Sequence, residues 1–133
     1  MAKNSSENGN MSIIMYKLWG KVRQHNQRGK KLGFPTANLN LSKKIQEGIY
    51  ISKTKIKSTV YPSIAFIGKA KTFNEKNIHA EIYILDFKKK IYGRWISVVL
   101  FKKIRNNRKF KSANDLVKQM KKDEEIARKY FVL

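Results

Sequence analysis

The chain has 133 residues, 41% of them hydrophobic, which is enough for one domain with a single modest core. It carries 30 Lys+Arg against 9 Asp+Glu, a formal charge of +21, and such a field favours polyanionic partners such as nucleic acid or a nucleoside triphosphate. With no cysteine, disulfides, thiolate metal sites and cysteine nucleophiles are excluded, and no apolar run is long enough to span a bilayer as a helix.

Taken in order, residues 1–12 are polar, rich in Asn, Ser and Gly, and lack the apolar centre of a secretory signal. They read as a disordered tail ahead of one domain over 13–133. The absence of cysteine fits a reducing, cytoplasmic setting. Short apolar runs with β-branched and aromatic residues predict strands over 13–22, 48–56, 61–67, 78–87 and 95–104. Turn-forming residues separate them: Asn26 and Gly29, Ser58, Asn74 and Asn77, and Tyr92-Gly93. Strands of this length and spacing predict a closed or nearly closed antiparallel barrel. The period then changes. Ser112 is placed to cap a helix, with Asp115 three residues on, and Leu116, Val117, Met120 and Ala127 recur at helical spacing. Asp115 suits the positive helix start, and Arg128 and Lys129 suit the negative end.

Two segments carry candidate chemistry. In Gly33-Phe34-Pro35-Thr36-Ala37-Asn38, Gly33 permits close backbone approach and Pro35 stiffens the chain. Thr36 and Asn38 then offer hard oxygen donors of the kind Mg²⁺ prefers, and Lys30 and Lys31 lie near enough in sequence to neutralise phosphate. An ordinary Pro-containing turn leading into a strand explains the same residues. No Walker-type phosphate loop occurs. The second segment is the strand pattern around Glu81. Period two puts Ile78, Ala80, Ile82 and Ile84 on one face and His79, Glu81, Tyr83 and Leu85 on the other. A carboxylate in mid-strand can act as general base to a substrate hydroxyl, or can pair with a lysine on the next strand. His25 and His79 make no ligand-spaced pair and read as structural or surface residues. Trp19 and Trp95 read as core residues rather than nucleobase platforms. The lysine runs, such as Lys88-Lys89-Lys90, read equally as a solvated surface or as a nucleic-acid-binding face.

In shared order over residues 17–130, the chain resembles the riboflavin kinase family. Gly20-x-Val22 and the stretch from Gly29 to Asn38 are similar to the family's glycine-rich loop and its Pro-Thr-Ala-Asn motif. Glu47-Gly48-Ile49-Tyr50, Ile67-Gly68, Thr72-Phe73, and Glu81 with Leu85-Asp86-Phe87 resemble the strands that follow. Tyr92-Gly93, Ile104-Arg105, Lys109-Phe110, Ser112 and Asp123 resemble its C-terminal pattern. The chain departs from the family at His25, where a glycine is usual, at Phe66, where Asn commonly precedes Ile-Gly, and at Lys71, where Pro precedes Thr-Phe.

The resemblance implies a mainly β fold: a six-stranded antiparallel Greek-key barrel with a C-terminal helix packed on it. It also implies transfer of the ATP γ-phosphate to the ribityl 5′-hydroxyl of riboflavin, giving FMN. Thr36 and Asn38 would hold the metal, Mg²⁺ or else Zn²⁺ or Mn²⁺, together with the phosphates. Glu81 would be the general base. Gly29, Lys31, Gly33 and Tyr92 would line the nucleotide site, and Arg105 and Phe110 would border the flavin. Bacterial relatives are often fused to an N-terminal FMN adenylyltransferase domain, for which this chain has no room, so FAD synthesis is not expected of it. A monomer with small-molecule substrates and no membrane association is expected. Competing readings are a basic RNA- or DNA-binding barrel and a flavin-binding module without turnover.

Overall fold

The structure, a computed structural model, describes residues 14–23, 36–41, 43–69 and 78–133. Six strands run in the order β1 (Tyr16–Lys21), β2 (Ala37–Leu41), β3 (Gly48–Ile56), β4 (Thr59–Lys69), β5 (Ile78–Ile84) and β6 (Trp95–Arg105), followed by helix α1 (Ala113–Phe131). All pair antiparallel in one sheet of spatial order β1-β6-β3-β4-β5-β2. Strands β3, β4 and β5 are consecutive neighbours and β6 returns beside β3, which is a Greek key. Just past β1, the Arg23 amide donates to the Asn38 carbonyl at 2.8 Å, so the two edge strands meet and the barrel nearly closes.

Alternation decides what fills the barrel. Leu18, Leu39, Tyr50, Ala65, Ile67, Ala80, Ile82, Val98 and Leu100 point inward and are buried. At one end the interior turns polar. Ser52 and Ser63 hydroxyls lie 2.7 Å apart and Thr54 lies 2.9 Å from Ser63, so three fully buried hydroxyls satisfy one another. Strand β3 is buried on both faces over its first half, because α1 covers the outer side. There Ile49, Ile51, Ile64 and Leu85 pack with Ala127, and Phe66, Tyr83, Ile104, Tyr130 and Phe131 close around them.

The helix begins as its sequence predicts: the Ser112 hydroxyl accepts from the Asp115 amide at 3.2 Å. Its most buried positions are Met120, Asp123 and Ala127, whereas Leu116 and Val117 are only partly covered. Asp123 is therefore a buried charge, and it faces Arg105 of β6. The guanidinium donates from Nε at 2.9 Å and from Nη2 at 2.7 Å, and Gln119 Nε2 adds a third bond at 3.0 Å. A second polar tie joins Arg128 to Asp86 at 2.7 Å and to Glu124 at 2.8 Å. The hydrogen bond from Arg128 holds the exposed Asp86 carboxyl below its usual range.

Burial, followed by the Glu124 carboxylate, pushes the Tyr83 hydroxyl from 10.0 up to about 12. Burial likewise raises Tyr50 to about 12, with its hydroxyl donating to the Gln46 carbonyl at 2.6 Å. Both folded values exceed the unfolded one, so above pH 10 the unfolded chain loses protons that the folded chain keeps. The stability these groups contribute is intact below pH 10 and is lost as the pH rises towards 12. Thermal midpoints should fall steeply across that window, and Tyr83→Phe should flatten part of the fall; an identical slope in the variant would exclude Tyr83 as a contributor.

The six-strand Greek-key barrel with its packed helix agrees with the expected fold. Strand β2 was not among the five runs predicted from residue pattern. At five residues, with two asparagines, it has little strand propensity of its own and is held by pairing with β5. The larger correction concerns the tryptophans. Trp19 and Trp95 are not core residues; each is 66% exposed. They alternate with Leu18 and Ile96, which take the interior.

Candidate active site

Strand β2 puts Ala37, Leu39 and Leu41 into the core, which leaves Asn38 on the outer face. Strand β5 does the same with Ile78, Ala80, Ile82 and Ile84, leaving His79, Glu81 and Tyr83 outside. In the β2–β5 register Asn38 lies directly opposite Glu81. Thr36, at the mouth of β2, donates its hydroxyl to Glu81 Oε2 at 3.3 Å. Hydroxyl, carboxamide and carboxylate, spread over 45 residues of sequence, thus meet at one point. Asn38 is 4% exposed, whereas the Glu81 side chain is 43% exposed and open to a ligand.

His79 joins this group, with Nε2 3.6 Å from Glu81 Oε1. Its position two residues before Glu81 on the same strand face was the available signal, although the sequence alone suggested only a structural or surface residue.

Beside Thr36 a cavity of about 320 Å³ opens into the end of the barrel. Thr36, Ile82 and Ile84 form one side, and the loop after β5 supplies Phe87, Lys88 and Tyr92 on the other. That loop is anchored to the end of β1, where the Gly93 amide donates to the Val22 carbonyl and Val22 donates to Arg94, each at 2.8 Å. Gly93 makes the reversal with φ +79°, a conformation that suits glycine. Lys88, Lys89 and Lys90 all line the cavity. A run that reads in sequence equally as a solvated surface or as a nucleic-acid-binding face therefore gives one rim of this cavity a concentrated positive charge.

On the other side of Glu81 the outer face forms a continuous row. Phe66 lies opposite Glu81, Ile49 opposite Phe66, and Arg105 opposite Ile49. Three strand spacings, about 14 Å, separate Glu81 from Arg105 along this row. Phe66, which departs from the expected Asn, is thus a hydrophobic neighbour of the carboxylate. Phe110 stands in the loop before α1, with the Arg108 guanidinium 4.9 Å and the Arg105 guanidinium 6.0 Å from its ring centre. Asn107 ties that loop to β4 by donating to the Ile67 carbonyl at 2.9 Å. The other predicted nucleotide-loop residues, Gly29, Lys31 and Gly33, lie outside the described residues, as do His25 and Lys71.

A hydroxyl that borders a lysine-lined cavity, with a carboxamide and a carboxylate beside it on the outer face, makes a site suited to phosphoryl transfer, in which positioning and charge neutralisation do most of the work. A model of the riboflavin kinase (Flavokinase) family matches residues 13–131. The chain is 40% identical over 122 residues to the trifunctional protein RibF/MnmA of Mycoplasmoides gallisepticum, covering 90% of this chain and 19% of that protein. It is 37% identical over 119 residues to the bifunctional riboflavin kinase/FMN adenylyltransferase of Haemophilus influenzae, covering 87% of this chain and 39% of that one. The chain therefore spans well under half the length of these relatives. Among solved structures, riboflavin kinase from Trypanosoma brucei superposes with a TM-score of 0.61 at 27% identity, over 85% of this chain and 77% of that one. A Streptococcus pneumoniae protein described as a macrolide-efflux protein superposes with a TM-score of 0.76 at 36% identity, over 84% of this chain and 38% of that one. No helix among the described residues is long and apolar enough to cross a membrane. The chain belongs to the riboflavin kinase family.

Proposed function

We propose that this chain phosphorylates riboflavin with ATP, and that Thr36, Asn38 and Glu81 are the residues on which the reaction turns. The observation that carries this reading is the convergence of those three side chains at the β2–β5 pairing, with Thr36 also lining the lysine-rich cavity. ATP would enter that cavity with its phosphates towards Thr36 and the lysines of the loop after β5, Tyr92 bordering the nucleotide. Gly29, Lys31 and Gly33 would complete the nucleotide loop. Riboflavin would bring its ribityl end to Glu81, with its ring beside Phe66 and towards the loop that carries Phe110, because α1 covers the face at Ile49. Arg105 would support that end as a wall held by Asp123 rather than as a mobile cation.

Glu81 then accepts the proton of the 5′-hydroxyl as its oxygen attacks the γ-phosphorus. The bond to the β–γ bridging oxygen breaks, and FMN and ADP result. The Thr36 hydroxyl, already donating to Oε2, orients the carboxylate so that its other oxygen can face the substrate. Mg²⁺, when bound, would be held by the Thr36 and Asn38 oxygens and would neutralise phosphate charge. Such a cation usually takes few protein ligands and shares the substrate's phosphates.

The direct test is riboflavin with ATP and Mg²⁺, followed by chromatographic detection of FMN. Thr36→Ala should raise KM for metal-ATP by about tenfold or more while changing KM for riboflavin little. Equal weakening of both substrates would remove Thr36 from the nucleotide side.

A further inference from the structure

The outer face of β1, together with the end of β3 and the start of β6, bears a different chemistry from the row that leads to Glu81. Lys17, Trp19 and Lys21 share the outer face of β1, Trp95 and Ser97 that of β6, and Lys55 that of β3, with Lys57 in the turn that follows. The register interleaves them: Trp19 lies opposite Ser97, which lies opposite Lys55, while Lys21 lies opposite Trp95. Trp19 and Trp95 are therefore diagonal neighbours on adjacent strands, about 7–8 Å apart along the backbone. Both are 66% exposed, and with Lys55, Lys57 and Ser97 they line a shallow open groove. No Asp or Glu occurs in β1, β3 or β6.

We propose that this face binds single-stranded nucleic acid, with Trp19 and Trp95 each stacking on a base and Lys17, Lys21, Lys55 and Lys57 neutralising the backbone. Two large rings left in water on a sheet are costly unless something covers them, and flat aromatic faces between cations match bases flanked by phosphates. A duplex keeps its base faces stacked inside, so it offers these rings nothing to stack on. An anionic membrane surface would favour a contiguous apolar patch, whereas here Ser97 and lysines separate the rings. Neither tryptophan nor any of these lysines lines the cavity beside Thr36, so the inference is independent of the kinase reading.

The chain contains two tryptophans and both lie on this face, so intrinsic fluorescence reports on it directly. Titration with oligo(U) and oligo(dT) of about ten nucleotides, within the usual site sizes, should quench that fluorescence. Affinity should fall linearly on a log–log plot against salt. The two oligomers separate an RNA ligand from a DNA ligand. By anisotropy of a labelled oligomer, the double variant Trp19→Ala/Trp95→Ala should lose at least about tenfold in affinity. Lys55→Glu/Lys57→Glu should lose affinity and reduce the salt slope. Circular dichroism melts confirm that the variants fold, and FMN formation by each should equal the parent's. Four results would overturn the proposal: no quenching at low salt, unchanged affinity in the tryptophan variant, equal quenching by a duplex of the same length, or quenching by phosphatidylserine vesicles in place of the oligomers. A dimer whose tryptophans become shielded at high protein concentration would assign the face to a second copy instead.

Discussion

Glu81→Gln should lower the turnover of riboflavin to FMN by roughly 10²–10⁴-fold, the range that a positioned general base supplies. The substitution preserves shape and keeps a carbonyl oxygen for the Thr36 hydroxyl to donate to, so the local structure should survive. The side chain is substantially exposed and lies outside the barrel core, so stability should change by less than about 0.5 kcal/mol. The loss should fall on kcat, with KM for ATP nearly retained, because the base acts on the proton that moves in the transition state. Single-turnover measurement separates chemistry from product release. Near-native single-turnover rates would remove Glu81 as the base and leave Thr36 and Asn38 with a positioning role only.

Asp123→Ala should be strongly destabilising, by about 3–5 kcal/mol, the cost of breaking a buried ion pair from one side. The carboxylate is fully buried and accepts three hydrogen bonds. Its removal leaves the Arg105 guanidinium, only 17% exposed, without its countercharge. Against a typical total of about 5–15 kcal/mol this is a large fraction of the stability, so the urea midpoint is the quantity to measure. A paired replacement, Arg105→Met with Asp123→Leu, removes both charges and should recover much of the loss. If that double variant is stable yet binds riboflavin poorly, Arg105 serves the flavin end as well as the fold. If it is stable and binds riboflavin normally, the pair is a structural clamp between β6 and α1 and nothing more. A midpoint for Asp123→Ala within experimental error of the parent would show that water, rather than Asp123, satisfies Arg105.

Sequence by itself determined the elements whose periodicity is strong and local. The alternation in β3 to β6 marks the strands, and it separates Glu81 from the inward isoleucines of its own strand. The capped start of α1 at Ser112 depends on a contact three residues long, so it too is legible in the chain. The order of short motifs, each weak alone, pointed to the same family that the comparisons give. Alternation assigns residues to a face but does not say what covers that face. Trp19 shares its face with Lys17 and Lys21, yet only the folded arrangement shows that this face is left exposed among the described residues rather than covered. Likewise α1 turns the outer face of β3 into a second core. The site itself is non-local: Asn38 reaches Glu81 only through β2–β5 register, Arg105 finds Asp123 only once α1 docks, and Lys88 to Lys90 line a cavity only because their loop folds back on β1. Tertiary structure alone decided these, because each contact joins segments that carry no signal of one another in their local pattern.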